Sequence, residues 1–425
     1  MIQLSEHEVV SPEKLEGLNL DTLRRRINLN TSRFITSKIN LLTCYIDEKS
    51  SDLAFSALFR IGAEWLDSEQ TKSVVVTPKV MNIDFIDMFM QCLSDNEVAD
   101  KFSEIYDIDF ESKPIYAPGL DSVLSPLLVV QYLMCVKRIA ARGLRKGYVS
   151  REENLNKVKG RIDIRRNERQ NVMTNHRERV FCRYEEFSAD TPTNRYLKQA
   201  LFVSQAMIMK MSDHRSFAPL LAMFNYCMSA FQCVSNDNAP LNVVNIKHNK
   251  LYRDDTDALR MATLILRRKA LAPDKIKSTS SYVPVFRMNM ALLFEHYALA
   301  KLRRTFNRAV LYQESGVYGR FYPDFLIKIP NAPIIADAKY VKDYDVKSIQ
   351  GEYIKQLSGY ARDVALLKRL DIDCTNESQI PIVPCVILYP SITHSIFSSD
   401  SLISDENKQN DTVKFYKCPI QIPTY

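Results

Sequence analysis

The sequence predicts an α+β protein of several domains, and three observations carry that expectation. At 425 residues the chain is long enough for two or three domains. Hydrophobic residues make up 46% and charged residues 25%, the balance of an ordinary soluble globular protein. The last third of the chain reads as helix, three strands, helix and strand, an order that closes into an α/β core. Residues 1–115 are then a mixed α/β domain, residues 116–278 a basic, helix-containing middle region, and residues 279–425 the α/β core.

In the N-terminal part, residues 61–66 are partly apolar but have no clear assignment. Residues 73–80 read as an apolar strand ending near Pro78 and Lys79. Residues 84–92 read as a helix, with Phe85, Met88 and Phe89 at helical spacing. Core packing explains Met88, Phe89 and Met90 better than a partner surface does. Arg24, Arg25 and Arg26 fit a solvated basic face at least as well as a phosphate or acidic-partner site.

Pro118 and Gly119 supply a boundary signal before the middle region. Residues 124–144 follow a helical pattern through Lys137, Arg138 and Arg142. Residues 142–167 then form a basic block around Gly143, Gly147 and Gly160. Residues 182–201 end in a helix whose start is marked by Asp190, Thr191, Thr193 and Asn194. Three readings of the basic block, with its interleaved Tyr148, stay open: a track for a phosphate backbone, a surface for a protein partner, or a solvated face.

The chemistry concentrates in the last third. Residues 286–306 read as an amphipathic helix with Glu295 beside its apolar stripe, followed by a short strand at residues 309–312. Residues 321–329 and 334–340 read as two strands joined through Pro330, Asn331 and Pro333, which predicts a hairpin. A helix over residues 347–370 and an apolar strand over residues 382–389 complete the order. Period two puts Asp337 and Lys339 on one face, and the hairpin brings Asp324 alongside. Two carboxylates and an ammonium are costly to bury unless paired or metal-bound. Oxygen ligands from two aspartates suit Mg²⁺, which completes its shell with water and substrate phosphate. The lysine can then orient or help deprotonate an attacking water. A salt-bridged hairpin without catalysis is the competing reading.

The Pro-Asp followed by Asp-x-Lys pattern resembles the PD-(D/E)xK nuclease superfamily, and the order of elements resembles that superfamily's common core. Gln356 and Tyr360, four apart on one helix face, resemble the Gln-x-x-x-Tyr helix of its RecB-like branch. Three further pieces resemble the McrC family in the same order. They are VKGRIDI at residues 158–164, the segment 182–195 with Tyr184, Glu185, Glu186, Asp190 and Asn194, and Phe294-Glu295. The stretch VVVTPKVMNIDFIDMF also looks like that family.

The McrC resemblance implies a DNA endonuclease subunit of a modification-dependent, 5-methylcytosine-type restriction system. It implies two partners, DNA in modified form and a hexameric AAA+ GTPase of the McrB type, which the N-terminal part docks into and stimulates. It also implies that Asp324 and Asp337, with the Ala338 carbonyl, hold Mg²⁺ while Lys339 acts on the water. Glu295 is then a third acid, as ligand or as holder of a metal-bound water. Gln356 and Tyr360 support Lys339 or a phosphate. His296, adjacent to Glu295, points about 100° away on an ideal helix and reads as surface or structural.

Several exclusions fit this division of labour. No G-x-x-x-x-G-K-[ST] occurs, so P-loop nucleotide hydrolysis is expected from another chain. The nine cysteines include no C-x-x-C pair, and Cys44, Cys92, Cys135 and Cys227 have mainly apolar neighbours. Zinc binding is therefore not expected, and a reducing, cytoplasmic setting is. The polar, acidic start does not read as a signal peptide, and residues 123–136 are too short and interrupted for a membrane span. The net charge of +7 is compatible with nucleic acid without requiring it. Two other functions stay open: a free-standing RecB-like repair nuclease, and a non-catalytic assembly subunit.

Overall fold

The computed structural model describes residues 1–10, 41–46, 53–67, 69–80, 82–109, 111–211, 217–237, 253–271, 282–319, 321–330, 332–341, 351–393, 397–398, 400–409 and 412–424. Arg24, Arg25 and Arg26, and the predicted helical start at 347–350, lie outside them. The chain divides into two compact units, Met1–Leu124 with Ser280–Tyr425, and Ser125–Thr279. The N-terminal and C-terminal parts expected as separate domains therefore fold as one body, interrupted by the middle region.

The cause is strand exchange within a sheet. Five strands run in the order Ile2–Ser5, Ser73–Thr77, Arg60–Trp65, Val285–Asn289 and Tyr106–Asp109. Only the first pair is parallel. The fourth strand belongs by sequence to the C-terminal part, yet it lies between two N-terminal ones. Residues 61–66, which gave no assignment from sequence, supply most of the central strand. Gly62 is obligatory there: at φ +139°, an added Cβ would stand 2.0 Å from the Phe286 carbonyl oxygen. Arg287, on the exchanged strand, donates from its two Nη atoms to Asp107 at 2.8 Å and Glu64 at 2.6 Å, tying both neighbouring strands to its own.

This arrangement corrects the helix predicted over residues 286–306. Phe286 and Met288 alternate into the core, and sheet neighbours on both sides take the backbone bonds of Val285–Asn289. The helix Met290–Phe306 starts only where Asn289 caps it, its side chain accepting from the N–H groups of Ala291 and Leu292. The predicted helix over residues 84–92 is present as Phe85–Cys92, capped by Asp84, and its Phe85, Met88 and Phe89 are buried.

A second sheet holds the strands Val310–Tyr312, Phe325–Ile327, Ile334–Ala338, Cys385–Ser391 and Phe415–Gln421. The first three are antiparallel and the last two join in parallel. The hairpin and the strand at 382–389 are as expected; the edge strand Phe415–Gln421 was not anticipated. One sheet face, bearing Leu326, Ile335 and Ile387, packs on Leu357, Tyr360, Leu366 and Leu367. Those four come from two helices, Gly351–Tyr360 and Val364–Arg369, where a single one was predicted. Asp363 causes the break. Its Oδ1 caps the second helix at the Ala365 and Leu366 N–H groups, and its Oδ2 accepts from the N–H of Val317.

The middle unit combines helices with a ribbon. The helix Asp121–Arg142 is 22 residues long and apolar enough to span a bilayer by length and composition. It exceeds the stretch judged too short from sequence, but 78% of its most apolar window is buried inside the protein, as in a core helix. Tyr132 donates its hydroxyl hydrogen to the Leu197 carbonyl on the helix Pro192–Met211. Tyr196, on that helix, contacts Thr263 on the helix Arg253–Leu271 at 3.2 Å.

The basic block supplies one strand of a β-ribbon, Gly147–Leu155, which pairs with Val180–Ser188 over nine residues on each side. Arg161–Ile162 adds a short third strand. Gly160, at φ +70°, has no space for a Cβ, which would meet Tyr184 Cβ at 2.6 Å and the Arg183 carbonyl at 2.7 Å. Asp163 caps the following helical turn at the Arg166 N–H. At the ribbon's other end Asp190 receives both guanidinium arms of Arg195 at 2.7 Å and one of Arg151 at 3.0 Å. Asn194 donates to the carbonyls of Arg145 and Ala189. The Gly-Arg-Ile-Asp and Asp…Asn-Arg blocks thus have structural work to do: they set the entry and exit of the ribbon.

Candidate active site

The site lies at the end of the strand Ile334–Ala338. Phe325 pairs with Ala336, so one further step along each strand sets Asp324 opposite Asp337. Asp324 Oδ2 accepts the Ala338 N–H at 2.7 Å. A residue in an antiparallel pair directs its N–H and C=O to the same neighbour, so the Ala338 carbonyl faces the Asp324 side as well. Asp337 is 1% exposed, and Lys339 Nζ stands 2.5 Å from its Oδ2. Lys339 is the charged partner of that oxygen, and its ammonium offsets part of the cost of burying the carboxylate.

Glu295 comes from the other side of the sheet. Tyr312, Phe325 and Ala336 share a cross-strand row, and therefore a face, opposite the one that carries Ile335, Asp337 and Lys339. Glu295 Oε1 accepts from the Tyr312 hydroxyl and from Gln313 Nε2, both at 2.9 Å. Among the described residues no three His, Cys, Asp or Glu side chains are grouped so as to hold one metal ion. Two aspartates and a carbonyl form one potential ligand set, and Glu295, engaged by Tyr312 and Gln313, is near enough for its charge to act on Asp324.

Electrostatics bind the cluster together. Burial first, then the charges of Asp337 and Glu295, push the Asp324 carboxyl well above its ordinary range. Burial also raises Asp337, against the opposing pull of Lys339. Glu295 is raised by burial, and Tyr312 and Gln313 offset part of that. Burial alone would lower the Lys339 ammonium, but Asp337 and then Asp324 hold it above its ordinary value. The lysine is therefore a fixed cation, suited to orienting a water or a phosphate oxygen and poorly suited to accepting a proton. The surplus negative charge, two buried aspartates against one ammonium, fits a divalent cation at this position.

Gln356 and Tyr360 share the expected helix face but bond to each other, Gln356 Nε2 donating to the Tyr360 hydroxyl at 2.6 Å. Tyr360 is buried, and its hydroxyl is raised by burial and by the charges of Asp337 and Asp324. Tyr353, on the same helix and not singled out from sequence, lies against Lys339, whose Nζ is 5.1 Å from the ring centre. Gln313 was also missed. Its signal was a polar residue directly after the short strand that precedes the acidic hairpin. His296 is 1% exposed, and burial lowers its imidazole to about 4, so it is a neutral core residue. A separate cavity of about 770 Å³, lined by Lys328, Pro333, Pro384 and Lys414 among others, lies at the opposite end of the same sheet.

An α+β fold with carboxylates and an ammonium gathered at the end of a mixed sheet defines a class: proteins with a buried acid–lysine site suited to a cation. The particular family follows from sequence comparison. The pattern defining the McrBC 5-methylcytosine restriction system component family matches residues 65–364, and the chain belongs to that family. No curated protein matches the chain. Among solved structures it is similar to a chain in the Thermococcus gammatolerans half-complex of McrB AAA+ hexamers with bound McrC. Identity is 16%, coverage 99% of this chain and 94% of that one, and the TM-score 0.37. A chain of the Thermococcus gammatolerans McrBC complex is similar at 14% identity, covering 71% of this chain and 87% of that one, with a TM-score of 0.29.

Proposed function

We propose that this restriction-system component is the nuclease subunit: a Mg²⁺-dependent DNA endonuclease with a PD-(D/E)xK-type core. It works with a McrB-type AAA+ GTPase hexamer, which it stimulates, and cuts DNA carrying 5-methylcytosine-type modification. The single observation that supports it most is the buried Asp324–Asp337 pair with Lys339 fixed beside it. A structural salt bridge needs one carboxylate per ammonium, and the second carboxylate is left costly without a cation.

Asp324, Asp337 and the Ala338 carbonyl would hold the metal, and Glu295, fixed by Tyr312 and Gln313, would add a third acid beside them. Bound there, Mg²⁺ supplies Lewis-acid stabilisation of the charge developing on the scissile phosphate. Lys339 orients the attacking water or a phosphate oxygen. Tyr353 and the Gln356–Tyr360 pair line the helix beside it. The ribbon Gly147–Leu155/Val180–Ser188 exposes Tyr148 and Phe187 and is a second candidate surface, beside the N-terminal part, for a partner.

The test is cleavage of modified DNA with Mg²⁺ by the chain alone, by the chain with its GTPase and GTP, and by the Asp337→Ala chain in the same mixture. Cleavage that requires partner and GTP and vanishes in the variant supports the proposal. Cleavage by the chain alone moves the assignment to a free-standing nuclease. GTPase stimulation with no cleavage in any mixture leaves a non-catalytic activator.

A further inference from the structure

We infer that Glu6, Lys79 and Tyr340 form a latch through which the N-terminal strands position the catalytic lysine. Lys79 is then a positioning residue for the reaction, and the inference rests on the nuclease reading above.

Tyr340 immediately follows Lys339 and is 2% exposed. Lys79 Nζ donates to the Tyr340 carbonyl at 2.9 Å and sits over the Tyr340 ring, 4.0 Å from its centre. One lysine therefore grips both the backbone and the side chain of the residue next to the catalytic ammonium. Lys79 is itself placed by the parallel pairing of Ile2–Ser5 with Ser73–Thr77. One residue past that pairing, Glu6 donates its N–H to Thr77, and its Oε2 accepts the Lys79 N–H at 2.8 Å. The same Oε2 lies 3.4 Å from the Tyr340 hydroxyl. His7 Nε2 is 3.2 Å from Lys79 Nζ, and the His7 ring packs edge-on to Phe59.

Glu6 is 5% exposed and its Oε1 has no hydrogen-bond partner. Burying a carboxylate this way is expensive, and core packing alone would be better served by a leucine. Its position makes sense as the anchor of a chain of contacts running from the first strand to the end of the catalytic strand. On the far side, the Lys339 N–H is fixed by the Leu388 carbonyl at 2.8 Å, so residues 339–340 are held from both flanks. Without Lys79, the Tyr340 end of this clamp opens and the Lys339 ammonium loses its set distance to Asp337.

The test uses the full chain with its GTPase partner, Mg²⁺ and modified DNA. Single-turnover cleavage, DNA affinity, GTPase stimulation and thermal melting are measured for Lys79→Met, Lys79→Arg and Glu6→Ala. Lys79→Met is expected to slow cleavage about tenfold, the low end of the loss when an outer-shell group that orients a site residue is removed, with DNA affinity and GTPase stimulation within about twofold. Lys79→Arg, which can still donate to the Tyr340 carbonyl, is expected to recover most of the rate, and Glu6→Ala to lose about threefold. An unchanged cleavage rate in folded Lys79→Met overturns the latch. If Lys79→Met does not fold, Glu6→Ala decides: a full rate there overturns it and a slowed rate supports it. A parent chain that never cleaves, or an Asp337→Ala chain that cleaves normally, overturns the nuclease reading instead.

Discussion

Asp337 concentrates the energetic problem of this protein in one side chain. It is buried, leans on the single ammonium of Lys339, and shares its surroundings with Asp324. Asp337→Ala is expected to lower DNA cleavage by roughly 10³-fold, the scale of losing a charge-stabilising element of an active site. The pH dependence has a definite sign. Because Asp324 and Asp337 are raised in the folded chain, their ionisation opposes metal-free folding. The stability they contribute is complete below their unfolded values and is lost as pH rises through the raised ones. A cation binds the ionised form and reverses this. The thermal shift produced by Mg²⁺ is therefore expected to grow between about pH 5 and about pH 8, and to shrink in Asp324→Asn. Equal shifts at both ends would remove the coupling. Both aspartates and Lys339 were legible in the sequence, because period two and a turn suffice to bring them together. Glu6 and Lys79 were not: 73 positions separate them, and only the pairing of Ile2–Ser5 with Ser73–Thr77 unites them.

Local pattern succeeds for elements that satisfy themselves and fails where a neighbour decides. The hairpin Phe325–Ile327/Ile334–Ala338 and the helix Phe85–Cys92 carry their own turn and cap signals. Residues 286–289 read as helix only as the lead-in to the amphipathic pattern that follows them, and their true state is decided by the strands on either side. In the middle unit the basic block suggested a surface, whereas Gly160 and Asp190 show what shapes it. Gly160→Ala is expected to destabilise the ribbon by about 2 kcal/mol, combining a positive φ with contact on Tyr184 and Arg183. Faster amide exchange confined to residues 147–188 is the measurement. Asp190 is held well below the ordinary carboxylate range, chiefly by hydrogen bonds from Arg195. Its contribution is present above its unfolded value and lost as pH falls through the folded one. Asp190→Ala is expected to cost about 3 kcal/mol near neutral pH in denaturant melts, because two arginines lose a buried partner.

At the scale of the whole chain, the organising fact is that residues from both ends build one unit while the middle forms another. The strand Val285–Asn289 lies between Arg60–Trp65 and Tyr106–Asp109, and runs directly into the helix that carries Glu295. Removing residues 1–115 would strip both neighbours from that strand, so such a truncation is expected to lose Mg²⁺ binding along with any docking function. The middle unit has the opposite standing. Tyr116 pairs with Tyr282 and Ile115 with Val283 in antiparallel fashion, so the chain leaves and re-enters the unit at adjacent points. A turn of about four residues closes a gap of that kind. A chain in which such a turn joins Gly119 to Tyr282 is expected to melt cooperatively and to keep a Mg²⁺-induced thermal shift that Asp337→Ala removes. A non-cooperative melt, or a shift that survives Asp337→Ala, would show that the acid–lysine site depends on more than the unit that carries it.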